Sequence, residues 1–316
     1  MSATLSINPK VVIVAGPTAA GKSALGLAIA EELNGVIINA DSQQRYADLR
    51  ILTSRPSRED EARVPHRLFG DLGPAEAGSA AEWAEKAAVE IQNITAAGKL
   101  PVLVGGTGLY FRALCEGLTD MPAVPIEVRA QAKVLRDDLG PDAFHAALAV
   151  RDPVIAARLN PADSQRTLRA WEVVEATGTP LSVWQQTAGT PPLTATYFQI
   201  LTLPPREELY AACDARFGAM VEGGALAEVQ ALLDRGVDLD TGIGKALGVP
   251  DLAAALRGER SLEAAVTLAQ TATRQYAKRQ MTWFRNQFHA NLTIYEKLSE
   301  RLLHEIFSNI RRFLLT

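Results

Sequence analysis

Val11-Val12-Ile13-Val14-Ala15-Gly16-Pro17-Thr18-Ala19-Ala20-Gly21-Lys22-Ser23 is an apolar run that empties into a glycine-bracketed loop and then into the helical-looking stretch Ser23 to Leu33. Residues Gly16 to Ser23 fit the spacing G-x-x-x-x-G-K-[ST], and strand, loop and helix in that order are what a phosphate cradle needs. The glycines let backbone N–H groups approach phosphate oxygens, Lys22 adds a cation, and the Ser23 hydroxyl can ligate magnesium. The pattern marks binding rather than a reaction. What the loop does with a phosphate depends on the rest of the chain.

Outward from the loop the same alternation continues. Val36-Ile37-Ile38 is a short β-branched run ending at Asn39-Ala40-Asp41. A helical pattern from Ala80 to Ala97 is closed by Gly98, and Pro101-Val102-Leu103-Val104 then runs into Gly105-Gly106-Thr107-Gly108. Strands that alternate with helices and end in glycine turns predict an α/β fold, a P-loop-type parallel sheet flanked by helices. Ligands of such sheets collect beyond the carboxyl ends of the strands. Lys22 with Ser23, Asp41 to Gln44, and Thr107 are therefore expected to converge.

After Gly117 the pattern changes. Met121 to Pro125 is a proline-marked junction, followed by helical patterns over Ile126 to Leu139, Ala143 to Leu148, Asp152 to Leu159 and Ser164 to Thr177. Thr187 to Pro192 reads as a linker, Tyr197 to Leu203 as a strand, and long helices follow over Glu207 to Arg235 and Leu262 to Asn286. The predicted organisation is a first part of the core over 1–118, a helical insertion over 119–195, and the rest of the core with C-terminal helices over 196–316.

The 316 residues, 47% hydrophobic and 22% charged, describe a globular chain with material for a sizeable core. No apolar stretch approaches a membrane span, and Met1 to Pro9 lacks a secretory pattern. Cys115 and Cys213 lack a CxxC spacing, which argues for a reduced, cytoplasmic setting and against a metal-thiolate site. The four histidines show no ligand spacing, and neither G-x-S-x-G nor a dinucleotide fingerprint occurs. A net charge of −4 excludes a polycation but not a local basic face.

Asp41-Ser42-Gln43-Gln44 supplies a carboxylate at a strand end, readable as an outer magnesium ligand, a general base or a turn former. In Gly105 to Tyr110, Thr107 is the one hydroxyl before the helix; it either donates to a ligand oxygen or belongs to an ordinary strand-to-helix turn. Within the insertion, Gln165-Arg166-Thr167-Leu168-Arg169 opens a helix behind Asp163, with Arg166 and Arg169 on one face. That face is either solvated or meets phosphates and bases. Residues 274 to 285 hold four cations and no acid. Arg274, Lys278 and Arg285 share a helical stripe there, an electrostatic footprint for RNA or a solvated face with Trp283 and Phe284 turned inward.

Taken in order, these segments resemble the bacterial tRNA dimethylallyltransferases, also called tRNA isopentenyltransferases. The matching stretches are Gly16 to Ser23, Asp41 to Gln44 with Tyr46, Pro65-His66, Gly105 to Tyr110, Asp163 to Arg166 with Arg169 and Glu172-Val173, and Thr273 to Gln280 with Thr282 to Arg285. The resemblance implies transfer of a dimethylallyl group from its diphosphate to N6 of adenosine 37 in the tRNA anticodon stem-loop. It seats the diphosphate on Gly16, Pro17, Thr18, Ala19, Ala20, Gly21, Lys22 and Ser23, with Mg2+ at Ser23 and Arg206 as a further diphosphate contact. It makes Asp41 the base, sets Thr107 in the reaction channel, and gives Ser42, Gln43 and Gln44 to the flipped base. Gln165, Arg166, Thr167, Leu168 and Arg169, with Arg129, would meet the tRNA. Ala246-Leu247-Gly248-Val249-Pro250-Asp251 departs from the family's Ala-Ile-Gly-Tyr-x-Glu, and Arg45 stands where an apolar residue is usual. The implied protein is a cytoplasmic monomer. Because P-loops also bind ATP, two alternatives are a small-molecule kinase and a nucleotide-dependent RNA-binding module. A third is prenyl transfer to free adenine nucleotides.

Overall fold

The computed structural model describes residues 8–119, 121–240 and 242–316; Met1 to Ile7, most of the stretch without a secretory pattern, lie outside the described residues. The chain divides into two compact units, one running up to Cys115 and resuming at Pro192, the other Glu116–Pro191. The first begins with β1 (Lys10–Ala15), α1 (Lys22–Glu32), β2 (Gly35–Asn39), α2 (Arg58–Arg63), β3 (His66–Arg67), α3 (Ala80–Ala96), β4 (Leu100–Gly105) and α4 (Gly108–Cys115). The second unit holds α5 (Ile126–Arg151), α6 (Pro153–Ala156), α7 (Ser164–Thr177) and α8 (Leu181–Trp184). The first then resumes with β5 (Thr196–Thr202), α9 (Arg206–Glu222), α10 (Ala225–Asp234), α11 (Val249–Leu256), α12 (Leu262–Gln287), β6 (Leu292–Ile294) and α13 (Glu300–Leu315).

The six strands form one parallel sheet in the order β3-β2-β4-β1-β5-β6. β2 and β4 are buried along their whole length and β1 from Val11 on, which is why they read as unbroken apolar runs rather than alternating ones. The register pairs Ala15 with Gly105 and Asn39 with Val104, so the chain leaves β1, β2 and β4 at one edge. That edge receives Gly16, Ala40-Asp41 and Gly106-Thr107. The strands abut so closely there that a Cβ on Gly105 would lie 2.0 Å from the Ala40 carbonyl oxygen.

Some expectations need correction. Glu207 to Arg235 is two helices, α9 and α10, because the chain turns at Gly223-Gly224, with Gly224 at φ 108 where a side chain would be strained. Asp152 to Leu159 is helical only over α6, with the Asp152 side chain capping Ile155 N–H at 3.0 Å. Beyond Asn286, α13 lays Leu302, Ile306, Phe307 and Ile310 against a cluster containing Val12, Leu25 and Ile29.

The second unit has its own core of Phe144, Leu148, Ile155, Trp171, Val173 and Leu181. Its longest helix breaks at Gly140 (φ 76), just before Pro141, between the two expected helical stretches. Asp152 is fully buried and uses both oxygens, the second accepting from Ser182 N–H at 2.9 Å, which ties α6 to α8.

Truncating Ile306, fully buried between α13 and the sheet, is expected to show how much the C-terminal helix stabilises the first unit. Ile306→Ala should cost about 2–5 kcal/mol in urea unfolding.

Candidate active site

The loop between β1 and α1 is shaped by close approach. Gly16 passes so near β5 that a Cβ would stand 2.4 Å from both Thr202 O and Thr202 Oγ1, and Gly21 takes φ 80 at the cap of α1. Lys22 is buried, and its Nζ donates to Pro17 O at 2.6 Å, folding the loop over its own lysine. Burial pushes the Lys22 amine down from 10.5 to about 8; Asp41 supports its charge and Arg216 opposes it. Ser23 is exposed at the start of α1.

A cavity of about 660 Å³ opens beside this loop, lined by Thr18 to Ala24, Asp41, Gln44, Thr53 to Pro56, Arg216 and others. A smaller void of about 30 Å³, room for one water, lies between Thr18, Asp41, Arg216 and the apolar side chains Leu52, Phe217, Met220 and Leu247. Asp41, Thr18 and Arg216 border both. The first space carries Lys22, Arg55, Arg63 and Arg216 and the loop backbone, groups that suit an anion, whereas the second has an apolar wall.

Asp41 is placed by Asn39, a fully buried amide at the end of β2. Asn39 Oδ1 accepts from Asp41 N–H at 2.8 Å, while Nδ2 donates to Asp41 O at 2.9 Å and Leu68 O at 3.0 Å. Asp41 Oδ1 accepts from Gln43 N–H at 3.0 Å, leaving the rest of the carboxylate toward the cavities. Thr107 borders neither cavity. Its hydroxyl accepts from Ser42 N–H at 2.9 Å and lies 3.3 Å from Ser42 Oγ, so it braces the turn after Asp41. Gln43 Oε1 accepts from Leu247 N–H at 3.2 Å, and Gln44 Nε2 donates to Thr53 O and Ser54 O at 3.0 and 2.8 Å. The departing segment 246–251 thus touches the site through Leu247.

Several participants went unread in the sequence. Arg216 on α9 donates to Thr18 Oγ1, and burial lowers its pKa while Cys213 and Asp41 support its charge. The sequence signal was a cation beside the buried stripe Cys213, Phe217, Met220. Arg206, by contrast, is exposed on the first turn of α9, bonded to and stacked on Tyr210, and lines neither cavity. Arg45 is fully buried; burial works against its charge, but a bidentate pair with Asp71 at 2.6–2.9 Å, joined by Glu82 at 3.2 Å, raises its pKa overall. These carboxylates explain a cation at this position. Glu228 accepts the N–H groups of Arg50, Ile51 and Leu52 at 2.8, 2.8 and 3.0 Å, fixing the wall that carries Leu52 to Arg55.

The remaining predicted residues sit elsewhere. On α12, Lys278 and Arg285 are exposed, whereas Arg274 pairs with Asp214. In the second unit, Gln165 and Arg166 are exposed on α7; Thr167 is fully buried with its hydroxyl on Asp163 O, and Leu168 packs on the core. Arg169 lies 3.9 Å from Glu172, whose carboxyl is raised by burial and held back by Arg169 and the exposed Arg129. Among the described residues no cluster of His, Cys, Asp and Glu could cage a metal, and no helix is long and apolar enough to cross a membrane.

Known proteins resemble this chain along nearly its whole length. A model of the family described as IPP transferase matches residues 44–287. The chain is 56% identical over 282 residues to a tRNA dimethylallyltransferase of Rhodospirillum centenum, covering 89% of this chain and 90% of the relative. It is 49% identical over 311 residues to one of Paramagnetospirillum magneticum, covering 98% and 99%. A solved tRNA isopentenylpyrophosphate transferase from Bacillus halodurans superposes with a TM-score of 0.68 at 33% identity, covering 96% of each chain. A eukaryotic dimethylallyltransferase solved acting on tRNA gives 0.77 at 26% identity, covering 95% of this chain and 80% of that one.

The Lys22 environment predicts a pH dependence. The amine loses its proton near pH 8, so its contribution to holding an anion is complete below that and lost above it. Calorimetric titration with inorganic diphosphate between pH 7 and 9.5 should show wild-type affinity falling relative to Lys22→Met, which lacks the titrating group.

Proposed function

The chain belongs to the IPP transferase family, and from that premise we propose that it moves a dimethylallyl group from dimethylallyl diphosphate to N6 of adenosine 37 in tRNA. It is a tRNA prenyltransferase; the donor, the acceptor atom and the residue roles are our reading. The observation that carries this reading is the shared border of the two spaces: Asp41, Thr18 and Arg216 stand where an anion seat meets an apolar wall. A kinase needs the seat but not the wall.

In this reading the diphosphate rests on the backbone of Gly16 to Ser23 with Lys22 and Arg216 on it; the geometry favours Arg216 over Arg206 for this contact. The dimethylallyl tail lies toward Leu52, Phe217, Met220 and Leu247, which must part to admit it because the void between them has room for one water only. The exocyclic amine attacks C1 of the allyl group, the C1–O bond breaks, and the electron pair leaves with the diphosphate. Lys22, Arg216 and loop N–H groups take up that charge. Asp41 receives the amine proton, and the product is the N6-substituted adenosine. Conjugation makes this amine a weak nucleophile, so a placed base matters. The adenosine leaves its stack to reach the site, with Ser42, Gln43 and Gln44 beside it and Thr107 holding their turn.

Mg2+ fits the donor set. It binds through one or two protein oxygens plus substrate phosphates and water, and the exposed Ser23 hydroxyl with Asp41 at the same cavity offers that and no all-protein cage. It would add charge neutralisation at the diphosphate. For tRNA, the exposed Gln165, Arg166 and Arg129 with the half-buried Arg169 offer polar groups on the second unit, and Lys278 and Arg285 face solvent on the first. Thr167 and Leu168 act by packing. In this reading the enzyme is a cytoplasmic monomer.

Asp41→Asn keeps the side-chain size and the backbone pin of Asn39. It should retain tRNA affinity in a gel-shift titration while single-turnover prenylation slows by roughly 10²–10⁴. Wild-type turnover in that variant would remove Asp41 as base.

A further inference from the structure

Gln280 lies on the buried face of α12, 6% exposed, and its amide is engaged at both ends. Oε1 accepts from Thr18 N–H in the phosphate loop at 2.8 Å, and Nε2 donates to Gly106 O in the turn after β4 at 2.8 Å. A backbone donor on one side and a backbone acceptor on the other fix the amide's orientation. The approach is tight: a Cβ on Gly106 would stand 2.4 Å from Nε2, and one on Gly108 would meet the Trp283 ring at 2.3 Å. Neither glycine has a positive φ, so both are required for room. The helix therefore packs against the Gly106-Thr107-Gly108 turn, and Gln280 is the polar tie that reaches past it to the phosphate loop.

We infer that Gln280 is a positioning residue for the transfer, holding the phosphate loop at a set distance from the turn that braces Asp41. The connection is short. Gly106 precedes Thr107, whose N–H donates to Ala40 O at 3.1 Å and whose hydroxyl takes Ser42 N–H, so both neighbours of Asp41 hang on this turn. Thr18 is the loop residue that Arg216 also holds. Fixing Thr18 to Gly106 thus fixes the leaving group's seat relative to the base. Glutamine offers an acceptor and a donor in one planar head; methionine of similar length offers neither. Its loss leaves the buried Gly106 carbonyl and the half-buried Thr18 N–H without partners, and they would move to find others. The inference rests on the reading of the loop as diphosphate seat and Asp41 as base.

The test compares Gln280→Met, Gln280→Ala, Gly106→Ala and the double variant Gly106→Ala/Gln280→Ala. Each is measured for inorganic diphosphate affinity by calorimetry, tRNA affinity, and kcat and KM for prenyl transfer. A misplaced loop should lower kcat/KM for the prenyl diphosphate by on the order of 10² in Gln280→Met and weaken diphosphate binding, with tRNA affinity unchanged. Gly106→Ala should do the same by pushing Gln280 out, and the double variant should be no worse than Gln280→Ala, since the crowded atom is gone. Wild-type diphosphate affinity and kcat/KM in Gln280→Met would overturn the inference, as would defects that multiply in the double variant. If the wild type failed to prenylate tRNA while Gln280→Met still lost diphosphate affinity, the proposed reaction would fall and the role of Gln280 at the loop would stand.

Discussion

A buried amide, Asn39, sets where the Asp41 carboxylate stands. Its side chain binds both backbone groups of Asp41 and the carbonyl of Leu68, and the Asn39 backbone carbonyl takes the Trp83 indole N–H at 2.8 Å. Trp83 is itself fully buried and stacked on Tyr110 with ring centroids 4.4 Å apart. A carboxylate anchored this way stays at the edge of the sheet without relying on a surface loop. From there its field reaches both Lys22 and Arg216, supporting charges that burial opposes. Were Asp41 free to swing away, both cations would lose that support and the proposed transfer would have no acceptor for a proton.

Around that anchor the polar groups are satisfied by neighbours from distant parts of the chain. Glu228 gathers three N–H groups of the 50–52 wall, Gln44 holds Thr53 and Ser54, Arg45 is neutralised by Asp71 and Glu82, and Gln280 bridges two strand ends. Each tie uses a buried or half-buried side chain whose loss would leave partners unpaired. These ties fix the walls around the larger cavity, which suits the proposed chemistry, where charge develops against fixed donors.

The sequence carried the parts of this that are local. Val11 to Val14, Val36 to Ile38 and Pro101 to Val104 announce central strands because burial on both faces demands continuous apolar runs. The phosphate loop is legible because its glycines are forced, Gly16 by the close approach of the Thr202 backbone and Gly21 by its left-handed φ of 80. What stayed hidden depends on side chains meeting across the fold. β3 is only two residues long and β6 three, too short for a pattern. Gly106 and Gly108 look like ordinary turn glycines until α12 is seen against them. Arg216 stands beside the buried stripe Leu209, Cys213, Phe217 and Met220 but carries a charge, so the stripe alone does not turn it inward, whereas Arg206 had a motif position but points to Tyr210.

The central claim is that this cradle holds a leaving diphosphate and that a carbon chain, not a phosphate, is transferred. The most direct measurement incubates the protein with unmodified tRNA and dimethylallyl diphosphate labelled in its carbon chain, and in parallel with ATP labelled at its terminal phosphate. The tRNA is then digested and its nucleosides analysed by mass spectrometry. The account predicts labelled N6-dimethylallyladenosine from position 37 in the first reaction and no label transfer in the second. Phosphate transfer from ATP without prenyl incorporation would contradict it.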